Sequence, residues 1–376
     1  MVRMEGFSRS LRSELKRVGE ELDMLRSEPN LLISRQEDPN VCDLVLAGGG
    51  AKGVAHIGAL WAMDRLGIRF KRLAGTSAGA IMAAIIAGGF SVEEMSEELM
   101  KVDFVGFRDG FWDQRLPKLA RIAAVSSSYG MYEGKSLQSW MENLLVSKGA
   151  NTFGRLPRKA VGMLSELPEE DGPRLQIMAS DVTHSCELIM PRDLSLPRYG
   201  SLRPNFFPVS AAVRMSISVP FFFTPYKLHR SLIVDGAFAS NLPLEVFDRE
   251  DPDDVRWPTF GINLASAPSP PNPTTDLFHF GLAIFDTMKY GQSRMSILQY
   301  PTRMCRLIDV PTGEVRTLDF DIKSEVKERL FLNGAEAVLR TLKGQGGAGL
   351  RTTWDFNRYI DLRKRWSFPS TDELYC

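Results

Sequence analysis

The sequence predicts an α/β fold: a central, mostly parallel sheet flanked by helices, preceded by an N-terminal amphipathic helix. Three observations predict it. An apolar run over residues 41–47 leads into a glycine-rich turn over 48–53 and then a helical pattern over 55–66. The same order follows at once, with a second strand over 70–74, a sharp turn over 75–79 and an Ala-rich helical stretch over 80–87. Segments 175–180, 187–190 and 259–264 and the short apolar run 232–234 supply further strands. Tandem strand–turn–helix units place parallel strands side by side and helices on the faces of the sheet.

Along the chain, Leu11, Leu15, Val18, Leu22 and Leu25 recur at spacings of four, three, four and three, the stripe of one helix over 7–26. Ser8 and Ser10 are candidate caps, and Pro29 lies beyond its end. Its mixed polar face favours a helix docked on its own body over a basic membrane-surface helix, and its length is short for a coiled-coil seam. Residues 103–132 are dense in aromatics (Phe104, Phe107, Phe111, Trp112, Tyr129, Tyr132) without periodicity. Four prolines mark 265–275 as a loop, 276–299 and 324–343 read as helices, and four glycines within 344–349 read as a flexible connection. The expected organisation is a helical extension over 1–40, one domain over 41–343 and a glycine-rich connection with a tail over 344–376.

Composition narrows the function. Forty-six Lys and Arg balance 46 Asp and Glu, which argues against nucleic acid as a partner, because that affinity rests on a basic face. With 44% hydrophobic residues the chain can bury a large core. Cys42, Cys186, Cys305 and Cys376 lie far apart without a C-x-x-C pair, fitting neither a disulfide scaffold nor a zinc cage. No run of about 18 apolar residues is present, and residues 1–37 mix basic with acidic side chains around no apolar signal-peptide core. The expectation is a cytoplasmic protein with peripheral membrane contact at most.

Gly48, Gly50 and Gly53 form G-x-G-x-x-G between strand and helix, a loop whose backbone N–H groups hold negative charge at a helix start. A dinucleotide site wants a carboxylate near the end of the next strand. Here that segment reads Phe70-Lys71-Arg72-Leu73-Ala74, a basic pair open only to a 2′-phosphate. Gly75-Thr76-Ser77-Ala78-Gly79 is G-x-S-x-G between strand and helix, the strained turn that lifts a nucleophilic hydroxyl above a sheet; a serine capping a buried helix is the bland alternative. Of His56, His184, His229 and His279, none stands at an evident strand end. Asp235 does, ahead of the permissive Gly236, and partial burial would raise its pKa toward that of a usable base. Seen alone, an Asp-Gly pair is an ordinary turn.

Together these pieces resemble the patatin-like phospholipase family. Gly48-Gly49-Gly50-Ala51-Lys52-Gly53 is similar to its oxyanion-hole loop, Gly75-Thr76-Ser77-Ala78-Gly79 to its nucleophile elbow, and Asp235-Gly236-Ala237 to its aspartate motif. Further similar stretches are Ala179-Ser180-Asp181-Val182-Thr183, residues 213–220 and Asn241-Leu242-Pro243. The resemblance implies a three-layer α/β lipid acyl hydrolase of phospholipase A or lysophospholipase type, without metal or organic cofactor, acting on phospholipids or other acyl-ester lipids. Ser77 is then the nucleophile, Asp235 its base, and main-chain N–H groups of the 49–53 loop the oxyanion donors. Lys52 stands where the family has Lys or Arg, and Asp181 reads as a turn residue. Acyl transfer to an alcohol is the nearest alternative; a dinucleotide-dependent oxidoreductase and a non-catalytic lipid-binding module are the alternatives of other classes. Phe206, Phe207 and residues 221–223 read as core, or as the lining of an acyl channel touching a bilayer.

Overall fold

Among the described residues ten strands form, in chain order: β1 (Val41–Leu46), β2 (Arg69–Thr76), β3 (Gly130–Tyr132), β4 (Leu175–Asp181), β5 (Cys186–Met190), β6 (Phe221–Phe223), β7 (Tyr226–Leu228), β8 (Ser231–Asp235), β9 (Thr259–Ala265) and β10 (Leu307–Pro311). The computed structural model describes residues 8–35, 40–102, 104–109, 128–265, 274, 277–299, 301–345 and 353–365. The readings made on Phe111, Trp112, Cys376, most of the proline loop and glycines 346–349 lie outside them. β1 and β4 are buried along their whole length, which is why apolar residues do not alternate with exposed ones along them.

The main sheet is mixed and mostly parallel in its central part, in the order β10-β9-β1-β2-β4-β8-β7, with β5 on the second edge of β4. The β10–β9, β9–β1, β1–β2 and β2–β4 pairs are parallel, and the β4–β5, β4–β8 and β8–β7 pairs antiparallel. Helices α1 (Arg9–Arg26), α2 (Val54–Arg65) and α3 (Ala78–Ala87) follow the expected places within a residue or two. Every residue of α3 is buried, as an all-apolar helix requires.

One register decides the rest. β5 pairs with β4 over 177–181, taking one edge of that strand. Its other edge is shared: β2 pairs with 175–178, and β8 with 179–181 in the opposite direction. β2 and β8 therefore run toward each other along one edge of β4. Their C-terminal ends meet where Thr76 faces Met178 and Asp235 faces Ala179. The meeting point lies beside the C-terminal end of β1, where Leu46 pairs with Gly75.

The stripe Leu11 to Leu25 is buried against α2 and the helix Ser324–Leu342. Ion pairs Arg65–Asp23 (2.6 Å) and Lys343–Glu21 (2.9 Å) rim this contact. The docked reading of the N-terminal helix holds, since its apolar face has no surface left to offer. Residues 353–365 also dock: Trp354, Phe356 and Tyr359 are buried, and Trp354 Nε1 donates to the Ile33 carbonyl at 3.3 Å.

Candidate active site

Ser77 lies between β2 and α3 at φ 51° and ψ −122°, a conformation that costs a residue with a side chain about 1–3 kcal/mol and persists only where its surroundings enforce it. The neighbours do so. A Cβ on Gly75 would stand 2.3 Å from the Gly79 carbonyl oxygen, and one on Gly79 2.0 Å from that of Leu46. Only glycines allow α3 to leave β2 so sharply while pressed onto the end of β1. The Ser77 N–H donates to Ser216 Oγ at 2.9 Å, and Ser216 Oγ donates to the Met178 carbonyl, which ties the turn to β4.

The glycine loop crosses directly beside this turn. A Cβ on Gly48 would stand 3.0 Å from Ser77 Cβ, and one on Gly53 3.2 Å from Ala78 Cβ. Residues Gly50–Gly53 close a 3-10 turn. Gly48 N–H reaches the Asn241 carbonyl at 3.4 Å, Ala51 N–H donates to Thr317 at 3.0 Å, and Lys52 N–H donates to Gly49 at 3.2 Å. Among the described residues, the N–H groups of Gly49 and Gly50 meet no protein acceptor. They are uncommitted donors of this loop.

Asp235 ends β8, fully buried. Its Oδ1 accepts the Ala237 N–H at 2.9 Å. Gly236 packs so close to β4 that a Cβ would lie 2.4 Å from the Met178 carbonyl, the reason glycine follows the aspartate. Oδ2 has no partner in hydrogen-bonding geometry, yet the Ser77 hydroxyl is close enough to pull the carboxyl pKa down. A loose contact of this kind is common for a nucleophile and base before substrate tightens it. Burial dominates, raising Asp235 to about 6 against the Ala237 N–H, the Ser77 hydroxyl and the Lys289 ammonium.

No histidine takes that place. His56 is buried, its Nε2 2.9 Å from the Ala47 carbonyl, and burial pushes it down to about 4, so it braces the loop as a neutral ring. His184 Nδ1 meets Asp181 Oδ2 at 2.8 Å, and Asp181 Oδ1 accepts the Thr183 N–H at 2.9 Å, the turn role expected of it. The basic pair on β2 is spent elsewhere. Arg72 donates to both Asp43 carboxylate oxygens, and Lys71 Nζ to the Glu166 carbonyl at 3.1 Å. Neither awaits a 2′-phosphate. Among the described residues no group of three or more His, Cys, Asp or Glu is placed to hold a metal.

Ser77, Gly50 and Ala51 floor an apolar cleft of about 790 Å³, part of it open to solvent, walled by Ile57, Ile81, Met82, Leu137, Phe222 and Phe223. Phe222 and Phe223 are core residues and cleft lining at once, while Phe206 is 73% exposed. The residues that sequence reasoning missed are Ser216, within a stretch noted only as similar, and Lys289 and Thr317, which no motif marks. Lys52 is buried; burial and repulsion from Lys289 bring its ammonium down to about 8.

A family model described as patatin-like phospholipase matches residues 44–248. The protein YqhO of Bacillus subtilis (strain 168) is 34% identical over 307 residues, 80% of this chain and 98% of that protein. The neuropathy target esterase sws of Drosophila melanogaster is 26% identical over 230 residues, 59% of this chain but 13% of that protein. Among solved structures, VipD from Legionella pneumophila matches with a TM-score of 0.49 and 17% identity, over 86% of this chain and 73% of that one.

Proposed function

The chain belongs to the patatin-like phospholipase family, and from that premise we propose that it hydrolyses acyl esters of phospholipids or lysophospholipids through Ser77 and Asp235. The observation that carries this reading is the convergence of a strained, buried serine and a buried carboxyl beneath an apolar cleft. The proposed catalytic unit is 41–343, with 1–40 and 344–376 as extensions, and it needs no metal or organic cofactor.

In the proposed reaction the Asp235 carboxylate takes the Ser77 hydroxyl proton as Oγ attacks the acyl carbonyl. The oxyanion then accepts hydrogen bonds from the Gly49 and Gly50 N–H groups. On collapse the alcohol leaves with the proton held by Asp235, and the acyl group stays on Ser77. Water attacks next, giving its proton to Asp235, which returns it to Ser77 as the fatty acid departs. The cleft receives the acyl chain. A fluorophosphonate probe tests this most directly. Labelling should map to Ser77 and block fatty-acid release; labelling of another serine, or none, would refute the assignment.

The buried carboxyl predicts a pH dependence. Because burial raises Asp235 to about 6, the base is protonated, and inactive, below that value. The acid limb of the kcat/KM profile should therefore lie near pH 6, with activity falling as pH drops through it. An acid limb near pH 4, the range of an ordinary carboxyl, would show that burial does not set this base.

Peripheral membrane contact is proposed as well. No helix of the described residues is long and apolar enough to cross a membrane. Helix Leu277–Gln299 exposes Phe280, Ile284 and Met288 at four-residue spacing, and Phe206 is exposed elsewhere. With zero net charge, general attraction to anionic lipid is absent, so binding rests on apolar area. Co-sedimentation with anionic as well as zwitterionic liposomes should change little across a salt series and weaken about tenfold or more when Phe280 and Ile284 become serine. Binding that collapses at physiological salt would instead reveal a basic contact.

A further inference from the structure

We infer that Lys289 is a positioning residue for the proposed hydrolysis, acting through Thr317 on the glycine loop and through space on Asp235. The inference rests on the Ser77–Asp235 reading.

Lys289 projects inward from helix Leu277–Gln299, its side chain only 14% exposed. A buried ammonium is costly unless its charge and its donors are met. Here Nζ donates to Thr317 Oγ1 at 2.9 Å and lies 3.8 Å from Asp286 Oδ1, one helical turn earlier. Thr317 Oγ1 in turn donates to Asp286 Oδ1 at 3.3 Å. The three side chains form a closed triangle, in which the threonine hydroxyl accepts from the cation and donates to the anion.

The triangle fixes one peptide group against the site. The Thr317 carbonyl accepts the Ala51 N–H at 3.0 Å. It also presses on the loop so tightly that a Cβ on Gly50 would stand 1.9 Å from its oxygen. With Ala51 held by Thr317 and Lys52 turned back onto Gly49, the loop keeps the Gly49 and Gly50 N–H groups as its two uncommitted donors. Lys289 thus holds, at one remove, the geometry on which oxyanion stabilisation depends.

A tether alone would not call for a cation at this position. The Lys289 charge also faces Asp235 and favours its ionised form. Asp235 is faced by the Ser77 hydroxyl from the elbow, the Ala237 N–H from its own turn, and Lys289 from the helix. Lys289 itself faces Asp286, Thr317, Asp235 and the Lys52 ammonium, and burial lowers its pKa. Lys289 is the cation among the groups acting on Asp235. Removing it leaves burial opposed only by the Ala237 N–H and the Ser77 hydroxyl, and the carboxyl pKa rises.

The test is hydrolysis of a soluble nitrophenyl ester by Lys289→Met, Lys289→Arg, Thr317→Val and Ser77→Ala, each checked for folding by circular dichroism. Lys289→Met should lower kcat about tenfold or more with KM little changed, and shift the acid limb upward by about half a unit or more. Lys289→Arg should restore the limb and most of the rate. Thr317→Val should lower kcat without moving the limb, since the cation remains; it and the arginine variant carry the test if the methionine variant does not fold. A Lys289→Met enzyme with an unshifted acid limb, or with the wild-type rate, overturns the inference. Ser77→Ala separates the two levels: retained hydrolysis there refutes the dyad itself, whereas an inactive Ser77→Ala beside a normal Lys289→Met refutes only the role of Lys289.

Discussion

Ser77→Ala is expected to lower ester hydrolysis about ten-thousandfold while the fold survives, and Asp235→Asn to come close to the same loss. The serine loses the only atom the proposed acyl transfer bonds to. The asparagine retains shape but cannot take a proton, and the imidazoles of His56 and His184 are committed to the Ala47 carbonyl and to Asp181. Because nucleophile and base act as one unit, the double variant should be little slower than either single one. The two variants part company in stability. The folded-state pKa of Asp235, about 6, lies above the ordinary carboxyl value of 3.8, so the folded protein binds the proton more tightly than the unfolded chain. The favourable contribution of that proton is complete below about pH 4 and lost as pH rises through 6. At pH 8 the buried carboxylate is a burden, and Asp235→Asn should melt above the parent, by an amount bounded at roughly 3 kcal/mol. Ser77→Ala should gain nothing comparable. Turnover near the parent level in either single variant would remove the dyad, and an Asp235→Asn protein less stable at pH 8 than at pH 4 relative to the parent would remove the charge argument.

The second large effect is expected at Gly50. Its φ of 56° suits glycine, and a methyl group there would collide with the Thr317 carbonyl oxygen at 1.9 Å. That oxygen belongs to backbone and is itself bonded to Ala51, so the loop must move instead. Gly50→Ala should therefore misplace the two free N–H donors. Losing one such donor costs about 10²–10³ in kcat, and this is the loss predicted, with the acid limb left near pH 6 because Asp235 is untouched. Fluorophosphonate labelling should slow in parallel. Gly149, also at positive φ but with open space around it, is the control: its alanine variant bears only the backbone strain, of order 1 kcal/mol, and should keep the parent rate.

Much of the central framework was legible because local chemistry dictated it. The largely apolar segments of β1 and β4 between turn signals read as buried strands, and the 3.6-residue stripe of α1 needed a covered face. Gly75 and Gly79 bracket Ser77 for reasons confined to a few residues, since a sharp turn from strand to helix tolerates no Cβ on either side. Other elements escaped for equally physical reasons. β10 reads Leu-Ile-Asp-Val-Pro, broken by Asp309 and ended by a proline, and it is a strand because β9 offers it an edge. The helix Val209–Ser216 is eight residues long and wholly buried, and its polar side chains Ser210 and Arg214 face Glu142 and the Glu133 carbonyl rather than solvent, partners the sequence alone does not supply.

The sequence by itself determined the parts: a glycine loop with amides to spare, a serine on a strained turn, and an aspartate at the end of a strand. What it could not state is that β2 and β8 share one edge of β4 and run head-on, so that residues 158 positions apart, Ser77 and Asp235, arrive side by side. Pairing register is a long-range property, fixed by which edges the core leaves open and not by either strand's own residues. The same holds for Lys289. An isolated Lys-Tyr-Gly in a helix carries no signal, and it acquires meaning only when Thr317 and Asp286 meet its charge at the rim of the glycine loop. Local sterics write a motif into neighbouring residues; electrostatic partners are chosen by packing, which only the folded chain performs.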